Sequence, residues 1–194
     1  MEPARLEAFT DGVIAIIITI MVLEIRVPQG ADLGALRANV PVLLAYVLSY
    51  VNVGIFWNNH HHMLHVTERV DGKVLWANLA LLFWLSLVPF VIRWIDETGF
   101  VALPTAAYGV VLACAAVTYN ILQRQIIAAN GPDSRLAVAL GGDFKGKVSI
   151  ALYLSAIGLA FVRPWIAIAL YVSVALLWLV PDTRIEALAK RGTP

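Results

Sequence analysis

The 194-residue sequence predicts an all-α integral membrane protein with six transmembrane helices in one domain covering residues 1–194. The composition is 60% hydrophobic and 14% charged with a mean hydropathy of +0.80, far outside the range of soluble domains. The apolar residues also fall into six blocks, at about 12–27, 41–57, 74–94, 105–129, 148–162 and 165–180, each about long enough to cross a bilayer once as a helix. Gly, Pro and charge separate the blocks, as in Pro28-Gln-Gly30, Asp71-Gly-Lys73, Asn130-Gly-Pro-Asp133 and Gly141-Gly-Asp-Phe-Lys145, and no long linker marks a second domain.

The first block has only twelve uncharged residues between Asp11 and Glu24. A helix crossing a hydrocarbon core of about 30 Å needs roughly 20, so both carboxylates are expected at membrane depth, pointing toward water or partners. On a wheel of about 100° per residue, Ile16, Ile20 and Leu23 share a stripe that Phe9 and Val27 extend, Thr19 flanks it, and Asp11 lies opposite. Stripes of this kind usually face lipid or core, so the pattern alone does not define a pore. A buried Arg5 and Asp11 require partners, and at six residues apart they cannot serve each other. His60, His61, Trp57, Asn78 or a neighbouring subunit are the candidates; the alternative is that Asp11 caps the helix start and Arg5 binds lipid phosphate.

The second block opens at Pro41, an expected first-turn residue, and leads into His60-His-His62-Met-Leu-His65. His61 and His65 are one turn apart and imidazole suits zinc or copper, but no cysteine is near and the only close acids are Glu68 and Asp71. Hydrogen bonding at the inner end of the second helix is the stronger reading, and imidazoles, which ordinarily titrate at about pH 6.5, bring a possible pH sensitivity. Pro89 is expected to kink the third span and free carbonyls that need internal partners. The single cysteine, Cys114, lies in the fourth block, where it reads as buried filler. Arg163-Pro164 leaves almost nothing between the last two blocks, so a broken helix pair or a re-entrant turn stays open there. Trp57, Trp94, Trp165 and Trp178 sit near span ends as interfacial anchors, whereas Trp84 is nearer mid-span.

Six spans put both termini on one side. Placing them in the cytoplasm leaves Arg5, Arg69, Lys73, Arg124, Arg135, Lys145, Lys147, Arg184, Lys190 and Arg191 inside against Arg26, Arg37, Arg93 and Arg163 outside, as the positive-inside rule prefers. The expected location is the cell membrane. No basic segment precedes the first block, which argues against a cleaved signal peptide. A net charge of +1 with dispersed bases gives no reason to expect nucleic-acid binding.

Arg5, Phe9, Thr10 and Asp11 resemble the Arg-x-x-x-Phe-Ser-Asp signature of the transmembrane protein 175 family, with threonine in place of the usual serine. The helix from Asp11 to Glu24 is similar to that family's first helix, and Trp57-Asn-Asn-His60-His61 to its Trp-x-x-His-His element. Asn78 with Leu87-Val-Pro89-Phe90 resembles its third helix, and Pro181-Asp-Thr-Arg184 its C-terminal end. The resemblance implies a potassium-preferring cation channel in which single-repeat subunits form a homotetramer, first helices lining a central pore. It places the constriction at Ile16, further apolar layers at Ile20 and Leu23, and a hydroxyl linked to potassium preference at Thr19. Arg5, Phe9, Thr10, Asp11, Trp57, His60, His61 and Asn78 are then the motif and gating network.

No Thr-Val-Gly-Tyr-Gly carbonyl filter occurs in the chain, so such a pore would close by dewetting of an isoleucine ring and would discriminate among cations only modestly. Potassium would be the permeant ion, membrane lipid and further copies of the chain the partners, and no cofactor or metal is implied. Two other classes fit the residues less well. A proton-coupled secondary transporter fits poorly with spans whose interiors are nearly charge-free. An enzyme fits worse, since no nucleophile stands beside a base and no convincing ligand set exists.

Overall fold

The structure is a computed structural model that describes residues 2–140 and 144–179, with the backbone alone at 139 and 140. These residues form helices α1 (Pro3–Leu23), α2 (Leu33–His65), α3 (Gly72–Ser86), α4 (Val88–Thr98), α5 (Ala102–Asn130), α6 (Arg135–Leu140), α7 (Phe144–Ala160) and α8 (Pro164–Leu179). The last residue of the expected sixth span, the 181–184 element, and Arg184, Lys190 and Arg191 lie outside the described residues.

The first helix is not short. Pro3 sits in its first turn, where the missing N–H is no loss, and α1 runs 21 residues to Leu23, about 30 Å. The apolar block from Gly12 is its C-terminal part, Val27 lies beyond its end, and Asp11 lies well inside it, which rules out Asp11 as the cap of the helix start. The second span is longer than expected at both ends. Asp32 caps α2 by accepting a 2.7 Å hydrogen bond from the Ala35 N–H, so Pro41 lies in the helix interior and not in its first turn. That proline deprives the Arg37 carbonyl of its usual donor.

Pro89 acts as expected, and more strongly. The third span separates at Leu87 into α3 and α4, with Pro89 in the opening turn of α4 and the Leu87 N–H donating to the Trp84 carbonyl at 3.2 Å. Together they form the stretch Gly72–Thr98. Helix α6 has no counterpart among the expected elements. The Arg163-Pro164 junction is a tight turn between two helices packed on each other, closed by the Val162 and Arg163 N–H groups donating to Leu159 O at 3.0 and 2.9 Å.

Among the described residues, four stretches are long and apolar enough to cross a membrane: Pro3–Leu23, Leu33–His65, Gly72–Thr98 and Ala102–Asn130. α7 and α8 have 17 and 16 residues, each about 25 Å long. The chain is a multi-pass, all-helical membrane protein.

Helix α5 is the scaffold, contacted by α3, α4, α7 and α8, while α1 stands at the side against α2, α3 and α4. Asn130, at the end of α5, accepts from the Glu68 and Arg69 N–H groups at 3.1 and 2.8 Å and donates to Arg69 O at 3.0 Å, tying the α2–α3 connection to the scaffold. At the opposite end Phe100 stacks on Trp165 with ring centroids 4.9 Å apart. Cys114 on α5 is half-buried, so it is not fully enclosed filler.

Small residues let the scaffold helices approach closely. A Cβ at Gly109 would sit 2.8 Å from Tyr171 Cζ and 2.9 Å from Ile157 Cγ1, closer than packed carbons tolerate. Gly158 on α7 has open space at the corresponding point. Gly109→Ala should therefore destabilise the protein by about 1–3 kcal/mol through overpacking. Gly158→Ala should be neutral or stabilising by up to about 1 kcal/mol through helix propensity. Unfolding midpoints of the purified variants check the pair.

Candidate functional site

The two sides of α1 differ in what covers them. Leu6, Thr10, Ile14, Ile17 and Met21 are buried against the rest of the subunit. The other side presents Ile16, Ile20 and Leu23 at 58%, 40% and 80% exposure, with Arg5, Phe9 and Thr19 also exposed along it. The stripe read from the sequence is thus the face that this subunit leaves uncovered. An open groove of about 810 Å³ lies between this side of α1 and α4, walled by Ile16, Ile20, Pro89, Phe90 and Trp94.

Thr19 breaks the apolar run in a particular way. Its hydroxyl donates to the Ile16 carbonyl at 2.9 Å, one turn back along its own helix. With the hydrogen committed, the oxygen lone pairs are what the side chain offers outward, so Thr19 can act as an acceptor or cation ligand on this face.

What holds α1 in this rotation is a set of polar contacts in its N-terminal half. Thr10 is fully buried and accepts a 2.9 Å hydrogen bond from Asn78 Nδ2 on α3. Asn78 Oδ1 in turn lies 2.8 Å from His60 Nε2 on α2, which donates in the tautomer protonated there. The three side chains form a chain joining α1, α3 and α2, each member fully buried.

Beside it runs a second seam. Trp57 Nε1 donates to Asp11 Oδ1 at 2.8 Å, and His61 Nδ1 meets Glu7 Oε1 at 2.5 Å. Glu7 and Asp11 are four residues apart on α1, and Trp57 and His61 four apart on α2, so two neighbouring pairs face each other across the interface. The Trp57 and His61 rings stack with centroids 6.0 Å apart, and His65 follows one turn on at 6.3 Å. Among the described residues, no three His, Cys, Asp or Glu side chains form a group able to hold a metal ion.

The structure therefore brings together Thr10, Asp11, Trp57, His60, His61 and Asn78. Arg5 does not join them. It is exposed on the Phe9 side of α1, and within this subunit its side chain has no partner among the described residues. Glu7 was missing from the sequence reading, although its spacing to Asp11 repeats that of Trp57 to His61 and was the available signal.

At the other end of α1, Glu24 accepts from Arg93 of α4 at 2.8 Å, and Arg93 also reaches Glu97 at 3.1 Å. Arg26, just past α1, meets Glu97 at 3.1 Å and Asp96 at 3.5 Å. This ladder ties the exit of α1 to α4 at an exposed end, where water screens it.

The anchors differ in how much they should matter. Asn78→Leu leaves two buried polar groups, on Thr10 and His60, without partners, at about 1–3 kcal/mol each. Trp57→Phe removes one hydrogen bond to a half-exposed Asp11, which water replaces in part, so its effect should stay below about 1.5 kcal/mol. Thermal unfolding of the purified variants is expected to show the larger fall for Asn78→Leu.

Comparison with known proteins locates this geometry. The family described as "Endosomal/lysosomal potassium channel TMEM175" matches residues 5–89, the stretch that carries the whole network. A protein from Chryseobacterium sp. named a potassium channel is 49% identical over 192 residues, covering 99% of this chain and 100% of its own. One of the same description from Streptomyces collinus is 35% identical over 129 residues, covering 62% of this chain and 63% of its own. The crystal structure of a lysosomal potassium-selective channel TMEM175 homolog from Chamaesiphon minutus matches with a TM-score of 0.82 at 27% identity, covering 93% of this chain and 98% of that one. Near-identical length, high identity and a shared helical fold make this chain a member of the TMEM175 family, of the prokaryotic type.

Proposed function

We propose that the chain is a subunit of a potassium-preferring cation channel, with six membrane crossings and four copies around a central axis. In this reading the exposed faces of the four α1 helices line the pore, Ile16 forms the constriction, and Ile20 and Leu23 add further apolar layers. The observation that carries it is the uncovered side of α1: an apolar face interrupted by an exposed threonine, held in place by buried polar contacts on the opposite side. Relatives named potassium channels and a potassium-selective structural neighbour support the choice of ion. Arg5, exposed on the same side of α1, finds its partner in the neighbouring subunit. α7 and α8, slightly short for independent spans, cross as a packed hairpin, and both termini lie in the cytoplasm of a cell-membrane protein.

The physics of this pore follows from its side chains. An isoleucine ring offers no ligands and excludes water when narrow, so it closes by dewetting and opens by rotation or splaying of α1. No carbonyl filter is available, so selectivity rests on partial dehydration. Potassium gives up its hydration more readily than sodium, and Thr19 oxygens offset part of that loss. Gating runs through the seam that fixes α1, where the His61–Glu7 and Trp57–Asp11 pairs join it to α2.

The buried His60 supports one other reading, a proton-coupled secondary transporter. Recordings from the reconstituted protein in planar bilayers separate the two. The channel reading expects resolved unitary currents whose reversal potential favours potassium over sodium. In that reading Thr19→Val reduces the preference by about two- to tenfold, the worth of one hydrogen-bond-scale interaction of about 0.5–1.5 kcal/mol. Saturable, proton-coupled uptake without unitary currents would overturn it.

A further inference from the structure

The subunit has a second polar feature, away from α1. Where α2, α5, α7 and α8 meet, there is a cavity of about 40 Å³. Gln123 of α5 and Tyr153 of α7 both line it at only 6% and 3% exposure, and neither side chain has a hydrogen-bond partner among the described residues. From α2, Asn52 and Asn59 line the same cavity, seven residues apart and so on one helix face. Their Nδ2 groups donate to Leu48 O at 3.0 Å and Ile55 O at 2.8 Å on their own helix, leaving their carbonyl oxygens unspent. Ser149 is already committed, accepting from Trp178 Nε1 at 2.7 Å and donating to Lys145 O at 2.8 Å.

Unpaired amides and phenols are poorly tolerated inside a membrane protein, where no bulk solvent is at hand. Chemistry and size together identify what meets them. Every described residue lining the cavity is uncharged, so these side chains offer a bare cation no counter-charge. One water needs about 10–15 Å³ of such space, and benzene has been held by a cavity of about 150 Å³. We infer that each subunit holds two or three ordered water molecules here, bridging Gln123 and Tyr153 of the scaffold to the asparagine carbonyls of α2. This site is separate from the α1 face and stands whether or not that face lines a pore. It makes the joint between α2, whose other sides carry Trp57 and His60, and the scaffold a hydrated one.

Crystal structures of the full chain in its assembled form, grown in potassium and in thallium salts, test this. The expected result is discrete density within hydrogen-bonding reach of Gln123 and the Tyr153 hydroxyl in both, without anomalous signal in thallium. Tyr153→Phe, which deletes a single oxygen, is expected to lose the peak beside that hydroxyl. An empty cavity, elongated density from a lipid chain, or a thallium peak would each overturn the inference, and the unsubstituted protein alone decides among these three.

Discussion

The rotation of α1 about its own axis is set by one amide, Asn78. A single-residue change of register would turn the helix by about 100°. Thr10 would then lose its donor in a place where water cannot substitute, and His60 would share the penalty through the same amide. Fixing Thr10 inward fixes what points outward, because Ile16, Ile20 and Leu23 lie on the far side of the same helix. A polar contact in the N-terminal half of α1 thus determines which apolar residues its remaining length presents.

The supports around that contact are graded by their exposure to water. The Trp57–Asp11 and His61–Glu7 pairs lie at the half-exposed edge of the α1–α2 interface, where they are adjustable. The Arg93, Glu24, Glu97 and Arg26 ladder at the other end is more exposed still, and restrains the end of α1 more than it stabilises the fold. Between the two ends, α4, which begins after the break at Leu87, forms the second wall of the groove along Ile16 and Ile20.

Hydropathy made the helical membrane fold legible, and the break near Pro89 followed from proline chemistry. The lengths of α1 and α2 did not follow, because hydropathy marks the apolar part of a helix and is silent about polar turns. Glu7, Thr10 and Asp11 continue α1 because their partners on α2 and α3 accept them, which only the packed structure reveals. Pro41 misled for a similar reason: Asp32 starts α2 two turns earlier, and the helix tolerates the proline inside it. On α1, the wheel separated the Ile16 stripe from Asp11 correctly, and the resemblance picked out Thr10, Asn78 and His60, which meet in space. Glu7 carries no mark in the sequence beyond its spacing, because it falls between the motif residues Arg5 and Phe9. Gln123 and Tyr153 escaped because isolated polar residues in apolar blocks carry no periodic signal until the helices around them are assembled.

The central claim is that the face of α1 containing Ile16 is the barrier to ion flow. Potassium-driven flux into liposomes, with sodium as the competing ion, tests it by comparing the protein with its Ile16→Asn variant. A polar side chain wets the ring, so the account predicts a marked rise in flux for the variant with correct insertion and assembly preserved. Equal flux in the two proteins, or none in either, would contradict the assignment of this face to the pore.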